Sequence, residues 1–127
     1  MPKDHRRSER VAEAIRELAA IFLHDGVKDP RVVGLVTVTG VDVTQDLRHS
    51  KVFVSILGSD AERKNTMAGL DSSAGALRSR VAKSLSLRYA PEIEFKEDRS
   101  VERGARIDTL LAQIRDGVAP SDEDPID

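Results

Sequence analysis

Two runs dense in β-branched residues, Val32–Val43 and Lys51–Leu57, fix the centre of any fold this chain can adopt. Val, Ile and Thr are stiff at χ1 and suit a pleated surface, so each run predicts a strand. The polar stretch Thr44–Ser50 between them turns the chain and predicts an antiparallel hairpin. Val52, Val54 and Ile56 alternate onto one face of the second strand. Gly40 interrupts the first run and marks a bulge or bend. A hairpin alone is marginal in water, so helices must cover its apolar face.

The flanking segments supply them. Val11, Ile15, Leu18, Phe22 and Leu23 fall at helical spacing and predict an amphipathic helix over 7–24, ended by Asp25-Gly26. Pro30 biases Asp29 toward extended backbone, giving a loop into the first strand. Gly58-Ser59-Asp60 carries capping chemistry for a helix over 61–72, with Met67 and Leu70 inward. Ser72-Ser73-Ala74-Gly75 predicts a kink or break, because serine competes for backbone hydrogen bonds and glycine is a poor helix interior. A further helix runs to about Tyr89 with Leu77, Val81 and Leu85 four residues apart, and Glu92–Lys96 alternates as a third strand. Ser100 caps a last helix carrying Val101, Ile107, Leu110, Leu111 and Ile114, closed by Gly117. The predicted class is α+β, with a three-stranded sheet, helices packed on one face and the order α-β-β-α-kink-α-β-α. Residues 1–117 read as one domain and 118–127 as a disordered acidic tail.

Charge is unevenly placed. From Asp116 onward there are five acids and no Lys or Arg, which leaves 20 basic and 17 acidic residues over 1–115, a net of +3 against −2 for the whole chain. Such a body can bind a polyanion locally although the overall charge is negative. The longest acid-free stretch lies between Asp71 and Glu92 and holds Arg78, Arg80, Lys83 and Arg88. It begins at the expected break, where free N–H groups and the small residues Ser73, Ala74 and Gly75 would admit a phosphate. Lys3, Arg6, Arg7 and Arg10 form a second basic cluster, and Lys28, Arg31, Arg48 and Lys51 a third around the hairpin. Each cluster alone reads more simply as a solvated face; their coincidence with a break between helices favours binding. Aromatic content is 3% and the three Phe fall on expected core faces, which argues for recognition of backbone and shape over base stacking.

Catalysis finds little support. The chain has no cysteine, and His5, His24 and His49 lie in different elements without an evident partner in sequence. No phosphate-loop, dinucleotide or zinc-protease motif is present, and Glu92 and Glu94 read as solvent-facing residues around Ile93. No apolar run approaches the ~20 residues of a membrane span, and the polar start MPKDHRRSER reads as cytoplasmic.

At this point the chain resembles the bacterial ribosome-binding factor A proteins over about residues 5–115. The resemblance rests on Arg7-Ser8-Glu9-Arg10-Val11-Ala12, Lys28-Asp29-Pro30-Arg31, Thr37-Val38-Thr39-Gly40-Val41, Asp46-Leu47 with Ser50–Val54, and Leu87-Arg88-Tyr89-Ala90-Pro91-Glu92-Ile93-Glu94-Phe95. It implies a type II KH-like fold in which an Ala-x-Gly kink replaces the usual GxxG loop; here those positions read Ser73-Ala74-Gly75, with serine in place of the alanine. It further implies a non-catalytic, monomeric factor without cofactor or metal. Such a factor binds 16S rRNA in the immature 30S subunit, assists late maturation and rRNA processing, matters in the cold, and departs with the help of assembly GTPases. The expected RNA-binding residues are Arg6, Arg7, Arg10, Lys28, Arg31, Ser73, Ala74, Gly75, Arg78, Arg80, Lys83 and Arg88. Two rivals stay open: a protein-interaction adaptor, which needs an exposed apolar patch that the helix patterns do not leave over, and an RNA-processing enzyme, which needs a clustered acid or histidine set.

Overall fold

The run of β-branched residues becomes strand only from its fourth position, because its first residues are captured by a helix. The computed structural model describes residues 2–33 and 35–100, with side chains from Arg6 onward. Its elements are α1 (Pro2–His24), β1 (Leu35–Val43), β2 (His49–Leu57), α2 (Asp60–Leu85) and β3 (Glu92–Glu97). All five lie within the compact unit Met1–Glu97. The last helix expected after Ser100 and the acidic tail lie outside the described residues, as does the proposed boundary at 117. Val32 and Val33 precede β1: the Thr66 hydroxyl accepts from Val33 N at 3.3 Å and donates to Val33 O at 3.0 Å, using the backbone groups a ladder would need.

β1 and β2 pair antiparallel, as expected, and β3 adds parallel to β2, giving the order β1-β2-β3 in a mixed sheet. The parallel pair requires a crossover, which α2 provides. Gly40 does mark a bulge: the register passes from Val38↔Val54 to Gly40↔Phe53, two steps on β1 for one on β2. Its purpose is readable in the side chains. Val36 and Val38 have even numbers and Val41 and Val43 odd, yet all four pack against the core. Without the extra residue a period of two would send one pair to the opposite face.

Both helices cover one face of the sheet. Ile15 and Ala19 of α1, Leu70, Leu77 and Val81 of α2, Val52, Val54 and Ile56 of β2 and Phe95 of β3 form the buried core. Phe53 is a correction: it alternates with Val52 and Val54, so it faces away from this core, where Phe22 and Phe95 do contribute. Gly26 ends α1 in the left-handed conformation (φ 92°), and Ser59 opens α2 in a full capping box with Glu62.

The expected kink or break at Ser72–Gly75 is also corrected, for α2 is one helix of 26 residues that runs through it. The Ser73 hydroxyl, instead of competing with the helix, donates to the Gly69 carbonyl one turn back at 2.9 Å. Glycine at position 75 costs a helix about 1 kcal/mol. Burying Leu70, Leu77 and Val81 along the same helix, each fully inaccessible, contributes roughly 1.5–3 kcal/mol apiece. Packing wins, and α2 ends later at Ser86, which takes the left-handed conformation (φ 50°).

Candidate nucleic-acid interface

A continuous α2 removes the free N–H groups that a second helix start would have offered, so the case for binding rests on side chains and shape. The core stripe of α2 leaves Ser72, Gly75, Ala76, Ser79, Arg80 and Lys83 exposed on its outer surface. This surface meets the end of α1 in a groove of about 280 Å³. Phe22, Asp25, Lys28, Ser73, Ala76 and Arg80 are among its lining residues. Arg80 lies over the Phe22 ring at 5.7 Å, and its Nη1 is 3.7 Å from Asp25 Oδ2. That ion pair is half-exposed and weak, so the guanidinium stays available. Lys28 stands on the rim without an ion pair among the described residues. A Cβ built on Gly75 meets nothing within 4 Å, so no packing among the described residues demands glycine there. Ala74, by contrast, is partly buried and packs against the core.

Two expected contact residues have structural work within the chain. Arg31 donates to both carboxylate oxygens of Asp29 (3.0 and 2.7 Å) and to Ser72 Oγ (2.8 Å), bracing the 28–33 loop onto α2. The same loop passes directly over Gly69, where a Cβ would lie 2.7 Å from Val32 Cγ2 and 3.2 Å from Val32 N. Arg78 donates twice to the Ala90 carbonyl (3.3 and 3.0 Å), tying α2 to the turn before β3. Sequence counts such charges but does not show partners 41 and 12 residues away.

The Arg31 brace has a pH signature. Its guanidinium, joined by the Arg31 N–H, holds the Asp29 carboxyl at about 2, below the ordinary 3.8. The folded value is the lower one, so the brace stabilises fully above about pH 4 and that contribution drains away toward about pH 2. Thermal melts of the wild type and Asp29→Asn should therefore stand apart near neutrality and converge as the pH falls through this window. A gap that stays constant across it means the ion pair carries no stability.

The remaining cations gather elsewhere. Arg7 of α1, Asp46, Leu47 and Arg48 of the β1–β2 turn, and Leu87, Arg88 and Tyr89 after α2 line a second cavity of about 160 Å³. Tyr89 is 63% exposed. Sequence reading, attentive to the three Phe, passed over this ring; its signal was an aromatic between Arg88 and a loop, off every apolar stripe. Arg6 and Arg10 are exposed on α1 beside Arg7, and Lys83 occupies the last turn of α2. A third, wider groove between α1 and β1 contradicts the expectation that no apolar surface is left over. Ala20, Leu23, Val27 and Leu35 line it, and Leu35 is 65% exposed. The described residues include no cluster of three potential metal ligands; His49 sits 3.4 Å from the Glu92 carboxylate.

The family model described as Ribosome-binding factor A matches residues 7–111. A ribosome-binding factor A of Gemmatimonas aurantiaca is 61% identical over 111 residues, 87% of this chain and 76% of that protein. That of Geobacter metallireducens is 51% identical over 110 residues, 87% and 92% of the two chains. Among solved structures, a Thermotoga maritima protein superposes with a TM-score of 0.64 at 37% identity, covering 72% of this chain and 87% of that one. The crystal structure of ribosome-binding factor A from Thermus thermophilus gives 0.60 at 20% identity, covering 71% and 94%, and supports the shared fold alone. With two helices on one face of a mixed three-stranded sheet, the fold is KH-like. The chain belongs to the ribosome-binding factor A family.

Proposed function

We infer that this protein is a non-catalytic assembly factor that binds 16S rRNA in the immature small ribosomal subunit and assists its late maturation and processing. The observation that carries this reading is the groove in which Lys28 and Arg80 flank the small residues of α2. Cations placed beside a surface without bulky side chains accept a sugar-phosphate chain at close range, and no base need be read. A Thermus thermophilus ribosome binding factor A has been fitted into a 30S complex, and the shared fold supports the same partner here. Assembly GTPases, a monomeric state, a cytoplasmic location and a role in the cold belong to this proposal. So do Arg6, Arg7, Arg10, Arg31, Ser73, Ala74, Gly75, Arg78, Lys83 and Arg88 as further contacts, Ala74 through the part of it that the core leaves uncovered.

Co-sedimentation with immature and mature small subunits tests it, with free large subunits as control, in rising salt. Preferential retention on immature small subunits, lost steeply with salt, is the expected result. Retention on every particle alike removes the reading. The exposed apolar groove by β1 favours a second reading, a docking site for protein; binding there would persist as salt rises. Gly75→Ala sharpens the test. It should stabilise the helix by about 0.5–1 kcal/mol, since the site is open, and yet weaken retention. Tighter or equal retention by this more stable variant means that no ligand approaches Gly75.

A further inference from the structure

The second cavity is built from three parts of the chain that are remote in sequence. Arg7 comes from α1, Leu47 and Arg48 from the β1–β2 turn, and Leu87, Arg88 and Tyr89 from the turn after α2. The guanidinium carbons of Arg48 and Arg88 stand 5.7 and 5.6 Å from the centroid of the Tyr89 ring. A guanidinium held by its face keeps its N–H edges for an anion. The turn that aims Arg48 is over-determined: Asp46 Oδ1 accepts from Thr44 Oγ1 (2.7 Å) and from Arg48 N (3.1 Å). Leu47 between them is kept in the left-handed region (φ 61°), a conformation that costs a bulky residue free energy and persists only where the surroundings impose it. Asp46, the one acid among the described residues of the cavity, is thus engaged within the turn. Arg7, Arg48, Arg88, Tyr89, Leu47 and Leu87 complete the lining among the described residues.

We propose that this cavity seats one unpaired RNA nucleotide, its phosphate on Arg48, Arg88 and Arg7 and its base against Tyr89 and the two leucines. The proposal deepens the RNA-binding reading above and rests on it. Size and composition choose the ligand. At about 160 Å³ the space is well below the roughly 300–1,000 Å³ that encloses a drug-sized molecule, so it suits a single base with its phosphate. An acidic peptide would engage the arginines but has no use for the ring and the two leucines, whereas every base has a π-face. Arg7 and Phe22 are fifteen residues apart on α1, about 22 Å at 1.5 Å per residue, so this seat is separate from the α1–α2 groove. An RNA strand would be held at two points.

The chain has one tyrosine and no tryptophan, so its tyrosine emission reports Tyr89 alone. Titration of the full chain with a short single-stranded oligouridylate should quench that emission saturably, with free N-acetyltyrosinamide correcting for absorbance. Arg48→Ala and Arg88→Ala should each shift the midpoint to higher RNA and lower the salt slope by about one contact. Tyr89→Ala should weaken binding, read by anisotropy of labelled oligouridylate, by about ten-fold, while Tyr89→Phe, which keeps the ring, holds the wild-type affinity. Unchanged emission, or unchanged affinity in Tyr89→Ala, overturns the proposal. So does equal quenching by polyglutamate, which would assign the site to acidic protein. Failure of the wild-type chain to co-sediment with immature subunits sinks the assembly reading; retained co-sedimentation with a silent tyrosine sinks only this seat.

Discussion

Gly69→Val is expected to destabilise the protein by about 2–4 kcal/mol, a large share of the ~5–15 kcal/mol that holds a domain together. The cause is the approach of the 28–33 loop to α2. The first carbon of any side chain at position 69 falls 2.7 Å from Val32 Cγ2, 3.2 Å from Val32 N and 3.3 Å from Arg31 Cβ. Val32 is β-branched and cannot swing clear, and its nitrogen is backbone. The loop must therefore lift. Lifting it breaks both Thr66–Val33 hydrogen bonds and leaves the buried Thr66 hydroxyl without partners, which adds about 1–3 kcal/mol. The gain from replacing a helical glycine offsets well under 1 kcal/mol of this, because valine is itself a poor helix former. Melting followed by circular dichroism should show a drop on the order of 10–20 °C, and the Val33 amide should lose protection from hydrogen exchange. A melt within about 2 °C of the wild type would mean that the loop does not need this contact. Function should suffer as well, since Lys28 reaches the groove from the same loop.

The contrast between Gly69 and Gly75 shows how far sequence alone carries. Both sit inside α2, and nothing local distinguishes a glycine that another segment crowds from one that faces open space. What sequence did disclose was periodic: the stripe Val11-Ile15-Leu18-Phe22, the alternation of Val52, Val54 and Ile56, and the bulge at Gly40, where the valines change parity. These are read within one element. What it hid was relational. The Ser73 hydroxyl has two outlets, breaking the helix or bonding back within it, and only the burial of Leu70, Leu77 and Val81 selects the second. The parallel placement of β3 beside β2 depends on where α2 returns the chain. Of the twelve residues expected to touch RNA, Lys28, Ser73 and Arg80 do line one groove, and Arg7 and Arg88 another. Arg31 and Arg78 also brace the fold, and Arg48 and Tyr89 share the second site because α1 and two distant turns meet there.

The double variant Lys28→Glu/Arg80→Glu should reduce retention on small subunits on the order of 100-fold at low salt while leaving the fold intact. Each reversal removes one phosphate contact and sets a carboxylate against a polyanion, a juxtaposition that costs several kcal/mol when water is excluded. Stability should fall by no more than about 2 kcal/mol. Lys28 has no ion pair among the described residues, and the Arg80–Asp25 pair is exposed, 3.7 Å apart and worth at most about 1 kcal/mol. Loss of the guanidinium over Phe22 adds about 0.5–1 kcal/mol. Net charge must be separated from position, because any four-unit change weakens attraction to RNA at long range. Lys51→Glu/Lys64→Glu makes the same change at exposed sites outside the groove. The groove variant should show a shallower dependence of affinity on salt than the wild type, by about two contacts. The control should lose affinity only at low ionic strength, where its carboxylates act over a Debye length of roughly 10–30 Å, and approach the wild type as salt shortens that reach. If the two double variants lose retention equally at every salt concentration, the attraction belongs to the charge of the whole protein, and the α1–α2 groove is not where the RNA lies.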